Sequence, residues 1–412
     1  MSATDMGKPA IRAGIIIFLS LTVATLSVLV SMANISRVKS PDLALRFIPF
    51  DAEALALSAE RQLGEAPSRK AAAIARERAT AAIRRDATSA VAFRVYGMSA
   101  SLLGEPERGG TAIRHSDSLS RRDLPARLWL IEDAVAKGDV DTALGHFDVA
   151  LRTSPLAPDI LFPILDNAIS DPAIATAATR LFRTGPPWLK SFVEYVIAKG
   201  KSNVALGDVV ARLPRKQPQI DQPLRLALVR DLIDAGKAQE GRHLYIASTG
   251  AQSRLGMGVR SPDFRAIGAW PPIDWELTDE VSKGAAMRDD GYGDNRGGID
   301  FHAQPGIGGI VASQLLFLTP GKFLLHSVSN RKVDDEQAMG VWEIHCERPD
   351  GPTVAILPMR VDGEKLQEFH TLFAVPPHQC SHQWLSLNLR AAQGQDELQG
   401  MVLSVRVDRS GN

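Results

Sequence analysis

A chain of 412 residues with 45% hydrophobic content has apolar material for about two or three packed domains, which excludes disorder as its main state. Its 47 Lys and Arg residues balance 47 Asp and Glu residues, so the whole chain lacks the basic footprint of a nucleic-acid binder. Two cysteines are too few for a disulfide-dense scaffold or a four-thiolate zinc site, and leave one disulfide or one mixed His/Cys site open.

Residues 1–12 read as a short cytoplasmic tail carrying Lys8 and Arg12. From Ala13 to Ser36 no residue is charged, and apolar residues occupy every helical face between Ile15 and Val30. At ~1.5 Å rise per residue this segment crosses a hydrocarbon core of roughly 30 Å. Residues 13–36 are therefore predicted to be an uncleaved signal-anchor. The alternatives are a cleaved signal peptide, with Ser31-Met32-Ala33 as a loose cleavage site, and a buried soluble helix. Lys8 and Arg12 on one side are matched by Arg37 and Lys39 on the other, so charge alone does not orient the span.

Residues 41–250 are predicted to form an α-helical repeat region. Apolar positions recur at steps of three and four, as in Leu128, Ile131 and Val135, the pattern of amphipathic helices. Gly104-Glu105-Pro106-Glu107 and Gly138-Asp139-Val140-Asp141 lie one repeat apart, at the roughly 34-residue tetratricopeptide period. The best copy runs from about Leu124 to Pro155, with Leu130 and Ala134 on the first helix, Gly138 at the turn, and Ala143, Phe147 and Ala150 on the second. This segment resembles a tetratricopeptide repeat. Phe93, Gly97, Ala100, Gly104, Gly109, Ile113 and Ser116 fill corresponding places in the preceding copy, and Ala75, Ala79 and Ala82 fit the second helix of an earlier one. Small residues at these places let paired helices approach closely. After Pro155 a series of prolines breaks the register, and that half is helical-repeat-like only.

A Gly/Ser/Arg-rich linker over 251–263 leads into residues 264–412, where apolar residues step by two. Leu385, Leu387 and Leu389 alternate with Trp384, Ser386, Asn388 and Arg390, while Met401, Leu403, Val405 and Val407 alternate with Val402, Ser404, Arg406 and Asp408. Further strands are predicted at 272–278, 297–303, 309–318, 322–329, 340–347, 353–361 and 367–375. Eight or nine strands in this length imply an all-β sandwich, with a jelly roll as its form.

Ile273-Asp274-Trp275, the Gln314–Phe323 hairpin with Thr319-Pro320-Gly321, Gly340-Val341-Trp342-Glu343-Ile344-His345-Cys346 and the Leu398–Leu403 strand resemble the carbohydrate-binding-module-like jelly rolls attached to bacterial envelope proteins. With the anchor and tetratricopeptide-like helices, the chain resembles an alphaproteobacterial group associated with exopolysaccharide and surface-glycan machinery. The resemblance implies an architecture and supplies no ligand residues.

The candidate chemistry sits in the sandwich. Cys346 shares its predicted inward face with Trp342 and Ile344, and Cys380 precedes the Trp384 strand. A Cys346–Cys380 disulfide is expected; unlinked buried thiols, or a metal with His345, His378 and His382, are the alternatives. Adjacent strand residues point to opposite faces, which argues against His345 and Cys346 sharing a metal. Asp289-Asp290-Gly291-Tyr292-Gly293-Asp294-Asn295 offers oxygen ligands but lacks the EF-hand pattern, and is read as a solvated loop. Glu343, Glu347, Asp362 and Glu364 have no spacing that fixes a glycosidase pair. No G-x-S-x-G, P-loop or H-E-x-x-H motif occurs, so no catalytic residue, metal or cofactor is assigned. Sugar recognition asks for an aromatic ring beside amide, carboxylate or guanidinium groups. Trp384, Asn388 and Arg390 meet this along one outward strand face, with Glu343 and His345 as weaker candidates.

The expected protein is a single-pass bacterial inner-membrane scaffold with everything after about Lys39 in the periplasm. Its helical repeats would hold an envelope or exopolysaccharide biosynthesis or export protein, and its sandwich would bind polysaccharide or complete an assembly interface. An envelope-glycan hydrolase or lyase and a purely protein-binding assembly factor are the alternatives. No nucleic-acid partner is expected.

Overall fold

The computed structural model describes residues 7–65, 68–200, 203–251, 258–265, 267–288, 297–332, 339–359, 365–393 and 396–410. The chain divides into two compact units, Met1–Leu165 and Asp166–Asn412.

The first unit is helical: α1 (Gly7–Ser36), α2 (Pro41–Phe47), α3 (Ala52–Glu65), α4 (Arg69–Arg85), α5 (Ala90–Leu102), α6 (Pro106–Leu119), α7 (Leu124–Ala136), α8 (Val140–Thr153) and the start of α9 (Ala157–Ala168). The Ala13–Ser36 stretch of α1 is long and apolar enough to cross a membrane, and its hydrophobic window is unburied. Ser68, Ser89, Asp123 and Asp139 begin their helices by accepting the backbone N–H three residues on, which satisfies donors that the first turn leaves open. Ala90 to Leu124 and Pro106 to Val140 are both steps of 34 residues, so α5/α6 and α7/α8 are hairpins in register. Gly104 and Gly138 take φ of +94° and +71° at the two turns, a conformation that favours glycine. Close crossing explains Gly97, where a Cβ would lie 2.5 Å from Ile113 Cγ1 and 2.7 Å from the Gly109 carbonyl oxygen. Between hairpins, the buried Arg94 of α5 donates through Nε to the carboxylate of Asp123 at 2.9 Å.

The second unit begins with the end of α9 and continues through α10 (Pro172–Arg183), α11 (Leu189–Ala198), α12 (Val204–Ala211), α13 (Gln222–Asp234) and α14 (Ala238–Thr249). The sandwich follows, with strands β1 (Glu276–Leu277), β2 (Lys283–Met287), β3 (Ile299–Ala303), β4 (Gly308–Leu316), β5 (Gly321–Lys332), β6 (Met339–Cys346), β7 (Thr353–Met359), β8 (Gln367–Val375), β9 (Gln383–Arg390) and β10 (Leu398–Arg409). They form two antiparallel sheets, ordered β1-β4-β9-β6-β7 and β2-β3-β10-β5-β8. The described chain is thus α-helical followed by an all-β sandwich of jelly-roll type.

Alternation makes the core. Leu385, Leu387 and Leu389 of β9 and Trp342, Ile344 and Cys346 of β6 face Val402, Val405, Phe301 and Leu325 of the other sheet. Trp342 donates its indole N–H to Ser327 Oγ at 3.1 Å. Cys346 and Cys380 are joined by a disulfide with Cα atoms 4.8 Å apart and a sequence separation of 34. Closing a loop of that length stabilises the domain by roughly 3 to 4 kcal/mol on the chain-entropy model.

Three strand expectations need correction. Most of 272–278 is turn, leaving only Glu276–Leu277 as strand, because proline cannot donate to a ladder and Pro271-Pro272 opens the segment. β2 was not expected: its Lys-Gly-Ala-Ala-Met sequence has no β-branched or aromatic residue to announce a strand. In β10 the predicted set of Met401, Leu403, Val405 and Val407 is split by a register shift between Val402 and Ser404. Val402, Val405 and Val407 belong to the core cluster, since one extra residue in a bulge exchanges the two faces.

Candidate functional site

The predicted site residues meet on the outward face of the first sheet. β6 pairs with β9 so that His345 lies opposite Trp384 and Glu343 opposite Ser386. Asn388 Nδ2 donates to Glu343 Oε2 at 3.1 Å, and an Arg390 guanidinium N–H donates to Glu343 Oε1 at 3.2 Å. The Glu343 carboxylate is therefore occupied at both oxygens, while the Arg390 side chain stays 60% exposed. Trp384 is half-buried, and its Nε1, Ser386 Oγ and His345 Nδ1 are buried without a hydrogen-bond partner among the described residues.

The Trp384 end of this face has a neighbour. Leu315, opposite Trp384 on β4, is 1% exposed, although it belongs to the outward set. Just beyond β4, the Arg242 guanidinium of α14 lies over the Phe317 ring at 5.0 Å. Gln239 Nε2 of the same helix donates to the Ser381 carbonyl at 2.8 Å, and Tyr245 meets Trp270 edge to face. Gln239, Arg242 and Tyr245 follow one another at three-residue steps, so one stripe of α14 makes the seam. A polar hub completes it: Asp274 accepts from Arg260 Nε at 2.8 Å, from the Trp270 backbone N–H at 3.0 Å and from the Tyr245 hydroxyl at 3.5 Å. Burial, and then the Asp274 charge, push the Tyr245 phenol up to about 12. From α13, Arg230 donates to the Pro271 carbonyl and to Glu276 of β1 at 3.0 and 2.7 Å.

The second sheet carries a depression of about 450 Å³ that sequence reasoning missed. Two cross-strand rows floor it. Gly284, His302 and Gln399 are register partners in one row; Ala286, Asp300, Met401 and Asn330 are partners in the next. Asp279, Arg288 and Glu397 stand around them. The hollow exists because β2 presents Gly284 and Ala286 there: a Cβ at Gly284 would lie 3.0 Å from the His302 ring and 3.0 Å from the Thr278 carbonyl oxygen. Some of the lining is already organised, with Gln399 Nε2 donating to Glu397 Oε2 at 2.7 Å and Asn330 Oδ1 accepting from the Met401 backbone N–H at 2.9 Å. Arg288 stands 3.4 Å from Asp300. Carboxylates, amides, an imidazole and a guanidinium on a rigid sheet make both halves of the hydrogen bonds a sugar hydroxyl needs. The signal that hid β2, its small residues, is the one that forms the hollow.

The other sequence candidates fall elsewhere. His382 is buried and its Nε2–H donates to the Glu347 carbonyl at 2.7 Å; His345 lies on the face opposite Cys346. Among the described residues, no group of three His, Cys, Asp or Glu side chains is placed to hold a metal. The 289–295 loop, Asp362 and Glu364 lie outside the described residues.

No family model matches the chain, and no curated protein matches it. Similar solved structures include the CBM22-1 xylan-binding domain of Paenibacillus barcinonensis Xyn10C, at 10% identity over 38% of this chain and 97% of that one, with a TM-score of 0.28. A structure described as CBM4 shares 19% identity over 37% of this chain and 99% of its own, also at 0.28. The enzymatically active domain of bacteriophage CBA120 tailspike protein 4 shares 13% identity over 36% of this chain at a TM-score of 0.26, and the match spans only 20% of that domain. At these scores the likenesses say nothing about a ligand, and the sandwich assignment rests on the strand order itself.

Proposed function

We propose that the protein is a non-catalytic, membrane-anchored scaffold whose sandwich binds saccharide in the second-sheet depression. The observation that carries this is the division of labour between the two outward faces. The first sheet has α14 on its Trp384 end and its Glu343 charge bound internally, whereas the second offers an open polar hollow. A pocket of about 300–1,000 Å³ suits a small ligand, and this one is lined mainly by hydrogen-bonding groups, with the Phe301 ring buried in the core beneath them. Among its described lining residues Asp279, Asp300 and Glu397 outnumber Arg288, which favours a neutral or amine-bearing sugar unit. The Trp384 face is the second reading, favoured by the polar atoms of Trp384, Ser386 and His345 that have no partner among the described residues, and which an ordered water or a ligand hydroxyl would satisfy.

In this reading α1 is the inner-membrane anchor, residues 1–12 form a cytoplasmic tail, and the chain after about Lys39 lies in the periplasm, where a Cys346–Cys380 disulfide persists. The 34-residue hairpins act as tetratricopeptide-like repeats that hold a protein of glycan synthesis or export. A glycan array probed with the full chain in nanodiscs tests the reading: retention of envelope saccharides without product release is expected. Release of cleaved product would favour a hydrolase or lyase. No retention, with a stable envelope protein co-purifying, would leave a purely protein-binding assembly factor. A C-terminal alkaline phosphatase fusion should be active; an inactive one would overturn the topology.

A further inference from the structure

We propose that the residues immediately after the apolar span form an interfacial collar that seats the first helical unit directly on the lipid surface; this rests on reading α1 as a membrane anchor. The span does not end in a swinging tether. Ala33, in the last turns of α1, is fully buried in a cluster with Ala44 of α2 and Ala54 of α3. One residue past α1, Arg37 pairs with Asp51 at 2.7 Å and Glu53 at 2.6 Å, and donates to Asn34 Oδ1 at 2.6 Å. Arg61 of α3 donates to the Lys39 carbonyl at 2.8 Å. The helix leaving the membrane is thus built into the fold, and Ala33 is enclosed in that joint, not displayed in the extended form that a peptidase would require.

Around this joint the surface is unusually apolar. Ile35 is 81% exposed, Val38 71%, Leu43 42% and Phe50 66%. Across residues 51–153, the only exposed large apolar side chains among the described residues are Leu102, Leu119 and Val135. On α2, Pro41 and Ala44 are buried and Phe47 packs against the Ala33 cluster, which leaves Leu43 facing outward. Lys39 and Arg46, interspersed with these residues in sequence, are exposed as well, the mixture that suits a headgroup boundary. Continuity identifies the occupant as lipid. Headgroup layers add roughly 5–8 Å to each side of the hydrocarbon core, and the Arg37–Asp51 pair holds residue 51 at the height at which the span emerges.

The test places a single environment-sensitive fluorophore on the full chain in vesicles, using the substitutions Val38→Cys and Phe50→Cys, with Leu26→Cys inside the span and Val135→Cys on a distant exposed position. Nitroxide-bearing phospholipid should lower the emission of the labels at 38 and 50 by about twofold or more, as at 26, and leave 135 unchanged. If 26 is quenched while 38 and 50 behave like 135, the anchor stands and the collar is wrong. If 26 is not quenched, the anchor reading fails and takes the collar with it. Labels at 38 and 50 shielded from aqueous iodide yet untouched by the lipid quencher would assign the patch to a protein partner and overturn the proposal.

Discussion

The outward face of the first sheet buries Leu315, with Phe317 just beyond it under Arg242 of α14, and commits Glu343 to Asn388 and Arg390, whereas the outward face of the second holds Asp300, His302 and Gln399 around a hollow. Both faces belong to one sandwich with one core, and both follow the same alternation. The difference teaches that period-two patterning reports which side chains leave the core, but not what waits for them outside. One outward face is an intramolecular seam; the other, among the described residues, carries the hollow.

The largest expected effect is at the seam. Asp274→Ala strips the part-buried Arg260, the Trp270 N–H and the Tyr245 hydroxyl of their shared acceptor, and should cost about 3 kcal/mol in denaturant unfolding. A loss near zero would mean that the seam does not hold the helices and sandwich together. Next, Leu385→Ala should destabilise the sandwich by about 2–5 kcal/mol. Its neighbour Trp384→Ala should cost about 1–3 kcal/mol, because Trp384 is half-buried on the helix-contacted face. Equal melting temperatures for Trp384→Ala and the parent would return Trp384 to the role of an exposed platform.

A smaller effect follows from Tyr245. Its folded pKa of about 12 lies above the ordinary value of 10.0, so its contribution is complete below pH ~10 and is lost as pH rises through the folded value. Tyr245→Phe should flatten that alkaline loss of stability. An unchanged alkaline unfolding profile would show that the phenol is not linked to folding.

Much of this was legible in the sequence. The α5–α8 hairpins announced themselves through Gly104 and Gly138, and β9 through Leu385, Leu387 and Leu389. Trp384, Asn388, Arg390 and Glu343 were readable as outward residues, but the pairing of β6 with β9 that joins Glu343 to Asn388 is non-local and leaves no trace in spacing. The β10 bulge was equally silent, since Val402 and Leu403 are both apolar and either fits the core. The second-sheet hollow was hidden for a different reason: its floor draws on β2, β3, β10 and β5, and its decisive residues are the uninformative Gly284 and Ala286.

The most direct test of the account is a paired titration of the full chain in nanodiscs with an array-identified envelope saccharide. The double variant Asp300→Ala/Gln399→Ala should lose about tenfold or more in affinity, about 1.4 kcal/mol, with its melting temperature nearly unchanged, while Trp384→Ala should bind like the parent. Loss of affinity in Trp384→Ala with the double variant binding normally would contradict the account and move the site to the first sheet.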